Sequence, residues 1–273
     1  MPALSWVWYS IRPLPLCNQG SLTKSPHNGP GDNDLPDHRK HRGPHPEDQK
    51  LFATEQLPSL RGATNDLSWL LTRDYPSTSA LKIVGDRYCL DARQRMAVAR
   101  CSCGDADVNR RKQHEVQIPD LSDQEVWIDG YNVLTSIEAA LSGGVILHAR
   151  DNCYRDMASM HGSYRKVEET IPALQIVGGL LVEWKVAESC WLLDQPVSNS
   201  GRLKIMVQEL ASEHGWNWRT EVVPDPDDML IATDRIVASA DSQILNQATR
   251  WFNMARVTID SRVSDAWVVD LSK

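Results

Sequence analysis

Aspartates follow the segments of this chain that read as strands, and acids so placed can hold a hard cation. Val126-Trp127-Ile128 runs into Asp129-Gly130-Tyr131-Asn132, and Cys190-Trp191-Leu192-Leu193 runs into Asp194. Trp218–Val223 leads to Pro224-Asp225-Pro226-Asp227-Asp228, and Ile236–Ala238 leads towards Asp241-Ser242. A single such acid is an ordinary turn or cap residue. Four on one sheet edge repel each other unless a cation or protons compensate. Hard divalent ions prefer oxygen ligands, and Mg²⁺ commonly takes a few carboxylates plus waters and phosphates, so Mg²⁺ or Mn²⁺ is the expected cofactor. Asn132, one helical turn past Asp129, is placed to orient a water or a phosphate.

A second group suits a phosphate. Arg150, Arg155, His161 and Arg165 gather before the start of a helix, and arginines at a helix N-terminus bind anions. The competing reading is a salt-bridged helix start, with Asp151 and Asp156 neutralising the arginines. Ser198-Asn199-Ser200-Gly201-Arg202 opens another helix, where Ser200 and Arg202 could hold a phosphate or form a plain cap. Trp216 and Trp218 could stack on bases or sit in the core. Neither a P-loop nor Gly-x-Gly-x-x-Gly occurs, which argues against ordinary nucleotide hydrolysis and dinucleotide redox chemistry. Nor does Gly-x-Ser-x-Gly. Cys101-Ser102-Cys103 with His114 fits no common zinc spacing, and nothing orients His161 towards Cys153.

Elements that would position these groups alternate between strand and helix over residues 125–273, which predicts an α/β domain with a mainly parallel sheet sandwiched by helices. Predicted helices run from Ser163 to about Val182, from Arg202 to His214 and from Gln243 to Arg256, with a last strand at Ala266 to Val269. Residues 51–115 read as a small helical domain. Asp91 caps a helix carrying Arg93, Arg95 and Arg100, so a helix-turn-helix and a plain helical hairpin both fit. A polar stretch follows, with the linker placed at 116–124. Residues 1–50, rich in Pro, Gly, Asp, His and Arg from 18 onward, read as a disordered leader.

Hydrophobic residues make up 41%, enough for a core, and no apolar run approaches the roughly 20 residues a bilayer span needs. No basic segment precedes the apolar start, so neither membrane nor secretion is expected. The six cysteines are irregularly spaced and read as free thiols of a cytoplasmic protein. The net charge of −7 is uneven: residues 51–115 carry net +2, residues 116–273 net −10. The total gives no general affinity for polyanions.

The series Ile128-Asp129-Gly130-Tyr131-Asn132-Val133-Leu134, Leu193-Asp194, Asp225-Pro226-Asp227-Asp228 and Ser239-Ala240-Asp241-Ser242 resembles the PIN-like nuclease superfamily, in particular its NYN branch and YacP-like members. The resemblance covers about 145 residues. It implies a Mg²⁺ or Mn²⁺ site that cleaves RNA. Asp129, Asp228 and Asp241 match the metal-binding acids, Asp225 is the alternative to Asp228, and Asp194 assists. Ser242 stands where many relatives carry a further charge, which leaves the number of metal ions open. Residues 51–273 also resemble an uncharacterised two-part prokaryotic family, domain of unknown function 434 with its C-terminal partner. Arg61 to Arg95 carries the first part, with Asp74 where Gly is expected.

The expected function is therefore a metal-dependent ribonuclease or phosphodiesterase, with RNA as partner. Asn132, Arg155, His161, Arg165, Ser200 and Arg202 would hold the substrate, and DNA is open as a second partner through the helical domain. The alternative is a non-catalytic nucleic-acid-binding protein of the same fold. Monomer and homo-oligomer both remain open.

Overall fold

The computed structural model describes residues 41–158 and 164–273. Five helices come first: α1 (Asp48–Leu51), α2 (Leu57–Leu71), α3 (Ser77–Arg87), α4 (Ala92–Cys101) and α5 (Asp105–His114). Then come β1 (Glu125–Asp129), α6 (Gly130–Leu141), β2 (Val145–His148), β3 (Tyr154–Asp156), α7 (Thr170–Glu183), β4 (Glu188–Asp194) and α8 (Ser200–His214). The chain continues through β5 (Trp218–Val223), α9 (Pro226–Ala232), β6 (Ile236–Ala238), α10 (Ser242–Leu245), β7 (Trp251–Phe252), α11 (Met254–Arg262) and β8 (Trp267–Asp270).

The main sheet has the order β5-β4-β1-β6-β7, and every pair in it is parallel. Alternation along β1 explains how it is covered. Val126 and Ile128 face a core shared with α6, α7, α8 and α11, through Leu134, Leu174, Val207 and Ile259. Trp127 faces the opposite side, where Leu192, Leu230, Val237, Ile244 and Trp251 cluster under α9 and α10. Connections from β1 build outward through β4 to β5, and the order then reverses to β6 and β7. The reversal falls between β1 and β6, where Ile128 lies opposite Ala238. In open α/β sheets that crevice is where ligands bind.

A second sheet, β3-β2-β8, pairs β2 with β8 in parallel and with β3 antiparallel. Its residues Val145, Leu147, Val269 and Leu271 share one apolar cluster with Leu60, Leu67, Val84 and Val98 of α2, α3 and α4. The helical segment thus completes its core on the small sheet, and Arg61 Nε donates to the Asp270 carbonyl at 2.8 Å.

Several elements differ from the sequence reading. The helix expected from Ser163 begins at Thr170, because Pro172 is tolerated only in a first turn. The helix expected from Gln243 to Arg256 is divided into α10, β7 and α11, with Trp251 and Phe252 buried in the sheet. The polar stretch after residue 105 is helix α5, and its buried residue is Arg111. Residues 41–50, read as the end of a leader, pack tightly. Arg42 pairs with the buried Glu138, and the fully buried Asp48 takes two bonds from Arg93, at 2.5 and 2.8 Å. Composition misled there, because a few ion pairs rather than apolar residues hold the segment. Residues 1–40 lie outside the described residues. Cys101, Cys103, Cys153 and Cys190 are free and buried, whereas Cys89 is disulfide-bonded, a correction to six free thiols. No helix among the described residues is long and apolar enough to cross a membrane.

Candidate functional site

Asp129 closes β1 and caps α6, accepting the Asn132 amide at 3.4 Å. Gly130 is required at this turn, since a Cβ there would lie 2.5 Å from a Leu193 methyl and 2.7 Å from the Leu192 carbonyl. The other Asp129 oxygen accepts from Ser239 Oγ at 2.7 Å, and that same hydroxyl accepts the Asp241 amide at 3.0 Å. One serine thus links two acids across the β1–β6 crevice. Asn132 Oδ1 accepts the Ala240 amide at 2.8 Å, a second link across it. Asp241 caps α10 through the amides of Gln243 and Ile244.

Burial pushes the Asp129 carboxyl up to about 7, and the charges of Asp227 and Asp241 push the same way. The bonds from Ser239 and Asn132 oppose this only in part. Asp227 is itself raised by burial and by Asp241, Asp225, Asp194 and Asp228, in that order. Asp194 is raised by burial and by Asp225. The acids expected from strand ends therefore share one field at the C-terminal edge.

Within that field Asp227 acts on Asp129, while Asp228, which the sequence reading favoured, is exposed. Asp225 is exposed and caps α9 through the Asp228 amide at 3.3 Å. Adjacent positions on a helix point about 100° apart, so only one of Asp227 and Asp228 can face the crevice. Placing the start of α9 at Pro226 would have identified which.

Arg155 does not reach outward as expected. It is buried on β3 and binds Asp151 with both terminal nitrogens, at 2.9 and 2.7 Å. Its Nε donates to the Ala240 carbonyl at 2.8 Å. The fully buried Arg111 of α5 shares the same Asp151 carboxylate, and it also donates to Asn246 Oδ1 at 2.8 Å and to the Ser242 carbonyl at 3.3 Å. Two guanidinia around one carboxylate thus hold the turn that carries Asp241, and they keep Asp151 far below the usual carboxylate range despite its burial. The salt-bridged alternative is the one realised for Arg155. The segment holding His161 lies outside the described residues.

Between α4 and this turn lies a cleft of about 460 Å³, lined by Met96, Arg100, Asn132, Ser136, Asp156 and Asp241 among others. Arg100 donates to the backbone carbonyls of Asp156 and, at 3.2 Å, of Ala158. Arg93 and Arg95 are also engaged, with Asp48 and Asp86. The arginines that suggested a helix-turn-helix therefore brace the fold. Ser200 is buried in the first turn of α8, Arg202 is exposed beside it, and the Arg165 side chain is half-buried in a separate cleft with Arg202. The Trp216 and Trp218 rings lie 4.6 Å apart at a tilt of 32° and pack against the core. Cys153 is buried with its thiol pushed well up, which does not suit a nucleophile.

The donors at the edge are carboxylate, hydroxyl and amide oxygens, a set that suits a hard cation. Among the described residues no three His, Cys, Asp or Glu side chains already converge as metal ligands.

These features define an α/β domain with an acidic crevice at its strand-order reversal, joined to a helical segment through a shared core. Residues 118–257 match the family described as Domain of unknown function (DUF5616), and residues 59–114 match Protein of unknown function (DUF434). The first match covers half of the chain, and the chain belongs to that family. It is also similar to the uncharacterized protein MJ0935 of Methanocaldococcus jannaschii, 28% identical over 187 residues, covering 68% of this chain and 89% of that one. No solved structure matches.

Proposed function

We propose that this chain is a metal-dependent ribonuclease or related phosphodiesterase with a PIN-like domain, working at the crevice between β1 and β6. The observation that carries the reading is Asp129, pushed up to about 7 by burial and by Asp227 and Asp241 in the place where open α/β sheets bind ligands. Mutual repulsion of this kind is relieved by a divalent cation. Asp129, Asp227 and Asp241 would hold Mg²⁺ or Mn²⁺, with Asp194 at the flank. Such an ion lowers the pKa of a water and stabilises charge on a phosphate. Ser239 ties the Asp129 carboxylate to the Asp241 backbone amide, and Asn132 and Arg155 hold the N–H and the carbonyl of Ala240.

The test compares wild type with Asp129→Asn on single-stranded and structured RNA, in Mn²⁺ or in EDTA. Cleavage by wild type alone, lost in EDTA, is expected. Equal cleavage by both proteins would overturn the assignment. RNA bound but cut by neither is the result expected of a non-catalytic nucleic-acid-binding protein.

A further inference from the structure

Many cations in the acidic part of this chain are neutralised. Arg150, Arg155, Arg219, Arg235, Arg256 and Arg262 each meet a carboxylate. Arg165, Lys166 and Arg202 have no acidic partner among the described residues, and all three line one cleft of about 310 Å³. The acids next in sequence, Glu168 and Glu169, face His41 instead. Clustered cations without counter-charges repel one another, which favours an anion among them.

The cleft has fixed walls. The Tyr164 amide donates to the Ser198 carbonyl at 3.1 Å, and Asn199 Nδ2 donates back to the Tyr164 carbonyl at 3.0 Å. The buried Tyr164 hydroxyl donates to Glu138 at 2.5 Å, with the Arg42 guanidinium 5.0 Å from its ring centre. Buried Leu203 and half-buried Met206 make an apolar floor. The volume sits at the lower end of the ~300–1,000 Å³ typical of small-ligand pockets. Asn199 belongs to the loop that leaves β4 after Asp194, so the cleft opens from the same sheet edge as the acids.

We propose that this cleft seats one nucleotide of a single nucleic-acid strand, its phosphate against Arg165, Lys166 and Arg202 and its base on the Leu203–Met206 floor. Single-strand grooves combine a cationic track with apolar surface for bases. The proposal rests on the reading of the chain as a nucleic-acid phosphodiesterase, and it gives an acidic domain its means of holding a polyanion.

The experiment follows a fluorescent single-stranded oligonucleotide by anisotropy on the full chain in EDTA, from ~50 to ~200 mM salt. Arg165→Gln and Arg202→Gln should each weaken binding about fivefold to tenfold and lower the salt slope by about 0.7. Met206→Gln should weaken binding with the slope kept, and Lys185→Gln, outside the cleft, should change neither. Wild-type affinity in both arginine variants, or no binding by wild type, overturns the seat. Displacement of the oligonucleotide by millimolar inorganic phosphate assigns a small phosphate instead and overturns the strand. Displacement by polyglutamate as effective as by unlabelled RNA overturns nucleic acid in favour of an acidic peptide. Cleavage is scored separately, so Asp129-dependent cleavage with unaffected cleft variants overturns the seat alone. Weakened cleft variants without Asp129-dependent cleavage overturn the nuclease reading alone.

Discussion

Asp129 carries a pH signature that needs no substrate to measure. Its folded pKa lies above the ordinary carboxylate value, so between about 4 and about 7 the folded chain holds a proton that the unfolded chain has released. Its contribution to stability therefore falls as pH rises through that window and is flat above it. Asp129→Asn should raise stability at pH 8 by on the order of 2 kcal/mol, allowing for partial exposure, and by much less at pH 5. Thermal unfolding of both proteins at the two pH values checks this, and an equal difference at both would sink it. Mn²⁺ should compete with the same proton, so calorimetry should show binding that tightens up to about tenfold for each unit by which pH rises towards 7. The neighbouring acids separate more sharply. Asp227→Asn should abolish cleavage, while Asp228→Asn, at an exposed position, should leave it within about twofold.

At the scale of elements, Asp151 is the joint between α5, β3 and the turn carrying Asp241. Asp151→Asn leaves Arg111 and Arg155 buried without a counter-charge, and breaking such a pair costs about 3–5 kcal/mol. Chemical denaturation should show a loss of that size, and a loss under about 1 kcal/mol would mean that the arginines find other partners. This joint was beyond the reach of sequence reading. The strands that end in Asp129 and Asp194 announced themselves by apolar runs stopped at acids, and their parallel pairing followed from alternation with helices. Arg155 and Arg111 carry no such mark, because a buried arginine and a solvated one look alike until their carboxylate is located. Helix α5 was hidden for the same reason, as its inward residue is charged. Helix α10 and strand β7 were merged into one expected helix because Ile244 and Leu245, and Trp251 and Phe252, supply apolar positions to either period.

Taken whole, residues 41–273 are tied by pairs far apart in sequence. Arg42 reaches Glu138, Arg93 reaches Asp48, and the core of the helical segment includes Val269 and Leu271. The chain should therefore unfold in one cooperative transition, and two calorimetric transitions would show that the helical segment stands alone. A chain starting at residue 51 should be less stable than one starting at residue 41. Removing Arg42 strands the buried Glu138, whose carboxyl burial already pushes up, and the expected loss is about 3–5 kcal/mol by denaturant titration.

The pairing of β8 with β2 sets a timetable for the cell. Helices α2 to α4 leave the ribosome early, yet β8, which helps to close their core, is made far later. At ~5–20 residues per second, their sticky face waits roughly ten to thirty seconds for its cover. During that interval the nascent chain is a natural client for a chaperone, and a premature stop just before Trp267 would leave it one permanently.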